Sequence, residues 1–343
     1  MEPRPQRLLL RPTAVLFLIV CFPLAACRRP VLIRESRPAM GTILSLELAA
    51  ADRERAQRII EECWSEAERL ERIFSRYRPD SELSRLNREA GNRPVPVSGE
   101  MLEVIGRALE ISRLTGGAFD VTVGPLMEIW GFFPKREGRA PSREEIRSVL
   151  GRVGWEKIEI DLEARTVRFL VPGLEIDLGG LAKGYVVDRL AAILAGEGFR
   201  GALVNAGGDI YGLGAHPAGR GWRIGVEHPR REGEVLTVLE LEDRAVATSG
   251  DYRNYFILRQ HRYSHIIDPR TGEPAATGVV ESTVLAPDCL TADGLATALF
   301  VLGPESGLEI LETGGDWEGL VIVEVGDRID IRRTPGFPLE EKR

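Results

Sequence analysis

The chain is poor in the residues that announce the commonest metal, redox and nucleotide chemistries. It carries four histidines and four cysteines in 343 residues. No His-Glu-x-x-His run occurs, which argues against a zinc hydrolase, and the cysteines lack metal-ligand spacing. A Walker A loop is missing, and no dinucleotide-fold fingerprint follows the first strand, so a nicotinamide dehydrogenase is disfavoured. A basic excess is missing too. The formal net charge is -7; residues 1–26 contribute +2, leaving -9 for the remainder. Charges are mixed without a long block of one sign, and an acidic body of this kind does not read as a nucleic-acid binder. Beyond the N-terminus no apolar run reaches membrane-spanning length.

What is present begins with an address. Arg4, Arg7 and Arg11 form a positive segment, Thr13 to Ala26 an apolar one, and Leu24-Ala25-Ala26-Cys27 closes it. This three-part pattern reads as a bacterial lipoprotein signal rather than an ordinary cleaved signal or a short anchor, with Cys27 lipidated. The expected layout is a signal over 1–26, a tether over 27–38 marked by Pro30 and Pro38, one domain over 39–333, and a tail over 334–343. The body is placed in the bacterial cell envelope, lipid-anchored and facing the periplasm or another extracytoplasmic side. Cys21 falls in the signal. Cys63 and Cys289 remain, as two buried thiols or as one disulfide.

Periodicity places a strand over Thr42–Leu48 and a long amphipathic helix over Asp52–Phe74, with Ile59, Ile60, Cys63, Ala67, Leu70, Ile73 and Phe74 on one face. Further helices are expected over 98–115 and 142–150, the latter opening on a capping box with Glu145. Residues 125–139 read as an irregular aromatic insertion, and 158–160 with 166–171 as a strand pair. From Leu174 the pattern is an apolar strand, a glycine turn and a helix from about Lys183 to Gly196. A short strand over 202–205, mainly strands over 222–284, a helix over 290–301, another over 304–313 and a hairpin about Gly326-Asp327 complete the chain. Helices and strands mix without strict alternation, so the fold class is α+β: a single compact domain of mixed sheets and helices.

Three segments carry chemistry. Asp293 and Thr297 interrupt an otherwise apolar helix four residues apart, so they share a face one turn apart. A carboxylate beside a hydroxyl offers hard oxygens suited to magnesium. The same pair also serves as a charge near a helix N-terminus and a hydroxyl bonded to the preceding turn. Asp177 to Tyr185 delivers a glycine turn to a helix at Lys183, which suits phosphate as well as it suits a plain tight turn. Tyr263 to Gly272 holds His265 on a buried strand with Ile266 and Ile267, ended by Asp268-Pro269. That histidine serves as a base, a ligand contact or a structural group. Glycine turns at Asn205–Asp209 and Thr248–Tyr252, and the helix stop Gly116–Thr122, are smaller signals. In the last, Phe119 is placed to stack on a ring and Asp120 to accept from an amine or ribose hydroxyl.

Met40-Gly41-Thr42, Phe74 to Tyr77 with Ser81 to Asn87, Gly117 to Asp120, Asp177 to Tyr185, Asn205 to Asp209, Ser264 to Gly272 and Asp293/Thr297 occur in one order. Together, over roughly residues 35–330, they resemble the ApbE family, the FAD:protein FMN transferases. The resemblance implies an ApbE-like, T-fold-like domain. It also implies Mg2+-dependent cleavage of FAD, with FMN joined through its phosphate to a Thr or Ser hydroxyl of a target flavoprotein, such as a redox-pump subunit, and AMP released. Metal ligands would be Asp293, Thr297 and the Ala182 carbonyl. FAD would meet Met40, Tyr77, Ala118, Phe119, Asp120, Gly179, Lys183, His265 and Ile267, with His265 and Asp293 catalytic. The alternatives within reach of the same residues are a magnesium-dependent FAD pyrophosphatase and a non-catalytic FAD-binding lipoprotein.

Overall fold

The computed structural model describes residues 30–134, 139–231, 233–252, 254–326 and 328–339. Eight strands build its main sheet: β1 (Val31–Ala39), β2 (Thr42–Ala50), β3 (Gly201–Ala206), β4 (Asp209–Gly214), β5 (Arg244–Gly250), β6 (Val279–Ala286), β7 (Glu318–Val325) and β8 (Arg328–Arg333). They lie side by side in chain order, each pair antiparallel. The helices fill the long connections. Between β2 and β3 run α1 (Arg53–Phe74), α2 (Glu82–Glu89), α3 (Gly99–Leu114), α4 (Gly124–Ile129), α5 (Arg143–Leu150) and α6 (Ala182–Gly196). Between β6 and β7 run α7 (Cys289–Leu302) and α8 (Pro304–Gly314). This is the α+β arrangement that the interspersed periodicities predict.

Both faces of the sheet are covered, and the period-2 alternation of its strands divides the cores. Ala245 and Ala247 of β5, Val284 and Ala286 of β6 and Val321 of β7 join a large core with α1, α3, α6 and α7. Val246, Leu285, Leu320 and Ile322 point the other way, onto Trp222, Val226, Leu239 and Leu241 of a two-stranded ribbon, Trp222–Glu227 paired with Val235–Leu241. α7 is apolar nearly all round because it is buried nearly all round. α1 is held at its start by the Asp52 side chain, which accepts the Arg55 N–H, and shows the expected stripe, including Ile60, Cys63, Ala67, Leu70 and Phe74. Cys63 and Cys289 are separate buried thiols.

Several expectations need correction. Residues 31–38 are not a tether: they form edge strand β1, paired with β2 from Val31↔Ala50 to Ala39↔Thr42. Pro38 misleads because an edge strand tolerates a residue that cannot donate. Nor are residues 334–339 a loose tail, since Phe337, 1% exposed, seals the second core. The apolar strand expected from Leu174 is extended chain without a ladder partner. Its backbone bonds go to the Asn87 side chain, through Ile176 N–H and C=O, and to a short 3-10 turn: Asp177 N–H donates to the Val121 carbonyl and the Glu175 carbonyl accepts Gly124 N–H. The insertion after Pro125 opens with α4, and its Trp130 and Phe132 are buried with Leu126, Ile146 and Ile267 in a third cluster. The signal, with Cys27, lies outside the described residues.

Candidate active site

The site begins where α6 crosses α7. Gly184 makes the crossing possible: a Cβ there would lie 2.6 Å from the Cys289 carbonyl carbon and 2.7 Å from Leu290 Cα. Two carboxylates pin the start of α7. Asp288 caps it through Thr291 N–H, and Asp188 of α6 accepts Cys289 and Leu290 N–H at 2.7 and 2.9 Å. The first turn of α6 is thereby held against the Asp293–Thr297 face of α7.

Asp293 is only 4% exposed. Its Oδ2 lies 3.4 Å from both the Lys183 ammonium and the Gly184 N–H. Lys183 is bound more closely by Asp209, at the start of β4. Burial, then the nearby Asp209 carboxylate, push the Asp293 carboxyl up, against the pull of Lys183. Burial also works against the Lys183 charge, but Asp209 and Asp293 outweigh it and hold the ammonium above its ordinary value. A buried place with two carboxylates and one ammonium is short of positive charge. The Thr297 hydroxyl lies 3.3 Å from Ser249 Oγ, and a Cβ at Gly180 would sit 3.3 Å from it and 3.2 Å from Phe119 Cε2, so the glycine turn packs closely on the hydroxyl and on the Phe119 ring. The Asp293 carboxylate and the Thr297 hydroxyl are hard oxygens of the kind Mg2+ takes, and Ala182, the first residue of α6, lines the same cavity.

These residues line a cavity of about 820 Å³ whose lining also includes Met40, Tyr77, Ala118, Phe119, Asp120, Gly179, His265 and Ile267. Segments far apart in the chain thus meet in one space. Met40 belongs to the two-residue turn Met40-Gly41 between β1 and β2, with φ of 54° and 71°. Tyr77 is 73% exposed and meets the edge of Phe133, whose other neighbour is the Arg76 guanidinium, 3.7 Å over the ring. The Asp120 carboxylate, by contrast, is used within the protein. It accepts Thr122 N–H and O–H at 2.8 and 2.7 Å and Trp155 N–H at 2.8 Å, which fixes the 120–122 turn.

His265 lies in the gap between two short strands, His261–Ser264 and Ile267–Asp268, not inside one. Its Nδ1 is 2.9 Å from the Asn254 carbonyl. A carbonyl only accepts, so Nδ1 carries a proton, and in the neutral ring the lone pair is then on Nε2.

For some cavity groups the sequence does not give the partners. Arg76 is the clearest: with its side chain 6% exposed it binds Asp177 at 2.6 Å and Glu175 at 3.2 Å, about one hundred residues away in the chain. Asp177 in turn accepts the Gly179 N–H at 2.8 Å and so shapes the glycine turn. The place of Arg76 in the Phe74–Tyr77 stretch marks the position, but nothing local shows that its partners are Asp177 and Glu175. Asp209 was visible as part of a glycine turn, but its pairing with Lys183 was not.

Comparison with known proteins agrees with this layout. Residues 40–321 match the ApbE family. A relative from Vibrio cholerae named FAD:protein FMN transferase is 41% identical over 296 residues, 84% of this chain and 87% of the relative. One of the same name from Escherichia coli is 34% identical over 306 residues, 87% and 86% of the two chains. Among solved structures, the flavin transferase ApbE from Vibrio cholerae superimposes with a TM-score of 0.80 at 37% identity, covering 90% of this chain and 98% of that one. The apo flavinyl transferase ApbE from Pseudomonas stutzeri gives 0.81 at 33%, covering 89% and 95%. The chain belongs to the ApbE family.

Proposed function

We propose that this protein transfers FMN from FAD to a Thr or Ser hydroxyl of an acceptor protein, forming a phosphoester and releasing AMP. One observation carries the reading: a single cavity is lined by the oxygen donors Asp293 and Thr297, by Lys183, by the rings of Phe74, Tyr77, Phe119 and Phe132, and by His265. A cavity of about 820 Å³ is in the range of sites for ligands of cofactor size. Bound at Asp293, Thr297 and the Ala182 carbonyl, Mg2+ supplies charge neutralisation for the pyrophosphate.

The chain's own residues supply the rest. Phosphoryl transfer needs mainly positioning and charge compensation. Lys183 offsets negative charge on the pyrophosphate and on the departing AMP. His265 Nε2 takes the proton of the acceptor hydroxyl as its oxygen attacks the FMN phosphorus and the bond to the bridging oxygen breaks. Tyr77, Met40 and Phe119 present apolar surface to the flavin ring. Cys27 is taken as the lipid anchor of an envelope protein. β1 starts only four residues later, so the anchor and the body are separated by at most about 14 Å of chain.

The test is mass spectrometry of a candidate acceptor domain after incubation with this protein, FAD and Mg2+. An FMN-sized adduct on Thr or Ser, abolished by EDTA and by Asp293→Asn, supports the transferase. FAD split to FMN and AMP without adduct on an acceptor known to be flavinylated favours the pyrophosphatase, and FAD bound but unchanged favours a carrier. Fractionation of Cys27→Ala tests the anchor: it leaves the membrane fraction if Cys27 is lipidated and stays there if it is not.

A further inference from the structure

Lys183 stands between two carboxylates that differ in what they are available for. Asp209 binds the ammonium closely, whereas Asp293 Oδ2 lies 3.4 Å away, shared with the Gly184 N–H at the same distance. Both acids are buried, Asp209 3% and Asp293 4% exposed. In such surroundings an ammonium that loses one carboxylate moves to the other, because a buried charge without a partner is costly. The two acids come from different layers: Asp209 from the sheet and Asp293 from α7, with Lys183 on α6 between them.

From this geometry we infer that Asp209 is a positioning residue that keeps Lys183 off Asp293, so that the Asp293 carboxylate stays open to a divalent cation. The inference rests on the metal reading proposed above. Its content is a coupling: Asp209 acts on the cation through Lys183, beyond the uniform attraction of its own charge. Without Asp209 the ammonium closes on Asp293. It then both neutralises that ligand and sets a positive charge where the metal is bound.

The experiment is a double-mutant cycle on Mn2+ affinity of the purified full chain without FAD, read by the electron paramagnetic resonance signal of free Mn2+. The variants are Asp209→Asn, Lys183→Gln and the pair, with Asp293→Asn as the metal control. Any direct field of Asp209 weakens binding equally with and without Lys183 and cancels in the cycle. We expect the loss caused by Asp209→Asn to be about tenfold greater with Lys183 present than in the Lys183→Gln background. Equal losses in the two backgrounds, while Asp293→Asn abolishes binding, overturn the inference and leave the metal reading standing. Absence of Mn2+ binding by the wild type, or undiminished binding by Asp293→Asn, overturns the metal reading and this inference with it. Should Asp209→Asn fail to give a cooperative melt, Asp209→Ser with Lys183→Met runs the same cycle.

Discussion

Replacing Gly184 by alanine tests whether the crossing of α6 and α7 sets the site. The new Cβ would lie 2.6 Å from the Cys289 carbonyl carbon and 2.7 Å from Leu290 Cα, where ordinary contact begins at 3.4 Å. These obstacles, and the Cys289 carbonyl oxygen that lies nearer still, are all backbone, so no rotamer change relieves them, and the helices must part by about 1 Å. Overpacking of this kind costs about 1–3 kcal/mol, a Tm fall of roughly 2–10 °C in a domain of this size. The chemical effect should be larger than the thermal one. The shift moves the Ala182–Lys183 turn away from Asp293 and Thr297, and a displacement near 1 Å costs on the order of 100-fold in rate. The assay is the rate of FMN attachment to an acceptor at saturating FAD, beside a melting curve. Gly196→Ala on the same helix meets nothing within 4 Å and is the control, with rate and Tm close to wild type. Transfer at the wild-type rate by Gly184→Ala, or a lowered Tm with an unchanged rate, would falsify the claim that this close approach positions the site.

Three further outcomes can be measured. His265→Ala should slow transfer by about 10²- to 10⁴-fold with FAD affinity nearly unchanged, checked by flavin fluorescence titration; a loss of binding instead makes the ring a binding group. Arg76→Met leaves the half-buried Asp177 without its cation, so it should cost about 1–3 kcal/mol, or a Tm fall of roughly 2–10 °C, and weaken FAD binding; the cost stays below that of a fully buried pair because Asp177 and Glu175 both keep some contact with water. Burial pushes the Asp188 carboxyl from 3.8 up to about 7, against the pull of the Cys289 and Leu290 N–H groups. The folded chain therefore binds more protons than the unfolded chain between those values. The stability from this group is full below the lower value and is lost as pH rises through the upper one. Tm of wild type relative to Asp188→Asn should accordingly fall from pH 4.5 to 7.5, and parallel curves would refute the assignment.

Local physics wrote much of the molecule into its sequence. The α1 stripe and its Asp52 cap, the Ser142–Glu145 capping box and the one-turn spacing of Asp293 and Thr297 are each decided by residues within a turn or two. Order of motifs along the chain was also enough to reveal the family. What sequence alone did not determine depends on partners far away. Val31–Ala39 is a strand because β2 offers it a ladder, and Pro38 is harmless because β1 is an edge. The chain at Leu174 looks like a strand but finds the Asn87 side chain and a 3-10 turn instead of a ladder partner. Arg76 reaches Asp177, and Lys183 sits between Asp209 and Asp293, across separations of 101, 26 and 110 residues. A chain's own periodicity reports which face is apolar over a few turns. Which charges share a buried space is decided only when the sheet and the α6–α7 crossing bring them within reach, because electrostatic and packing energies depend on distance in space and not on distance along the chain.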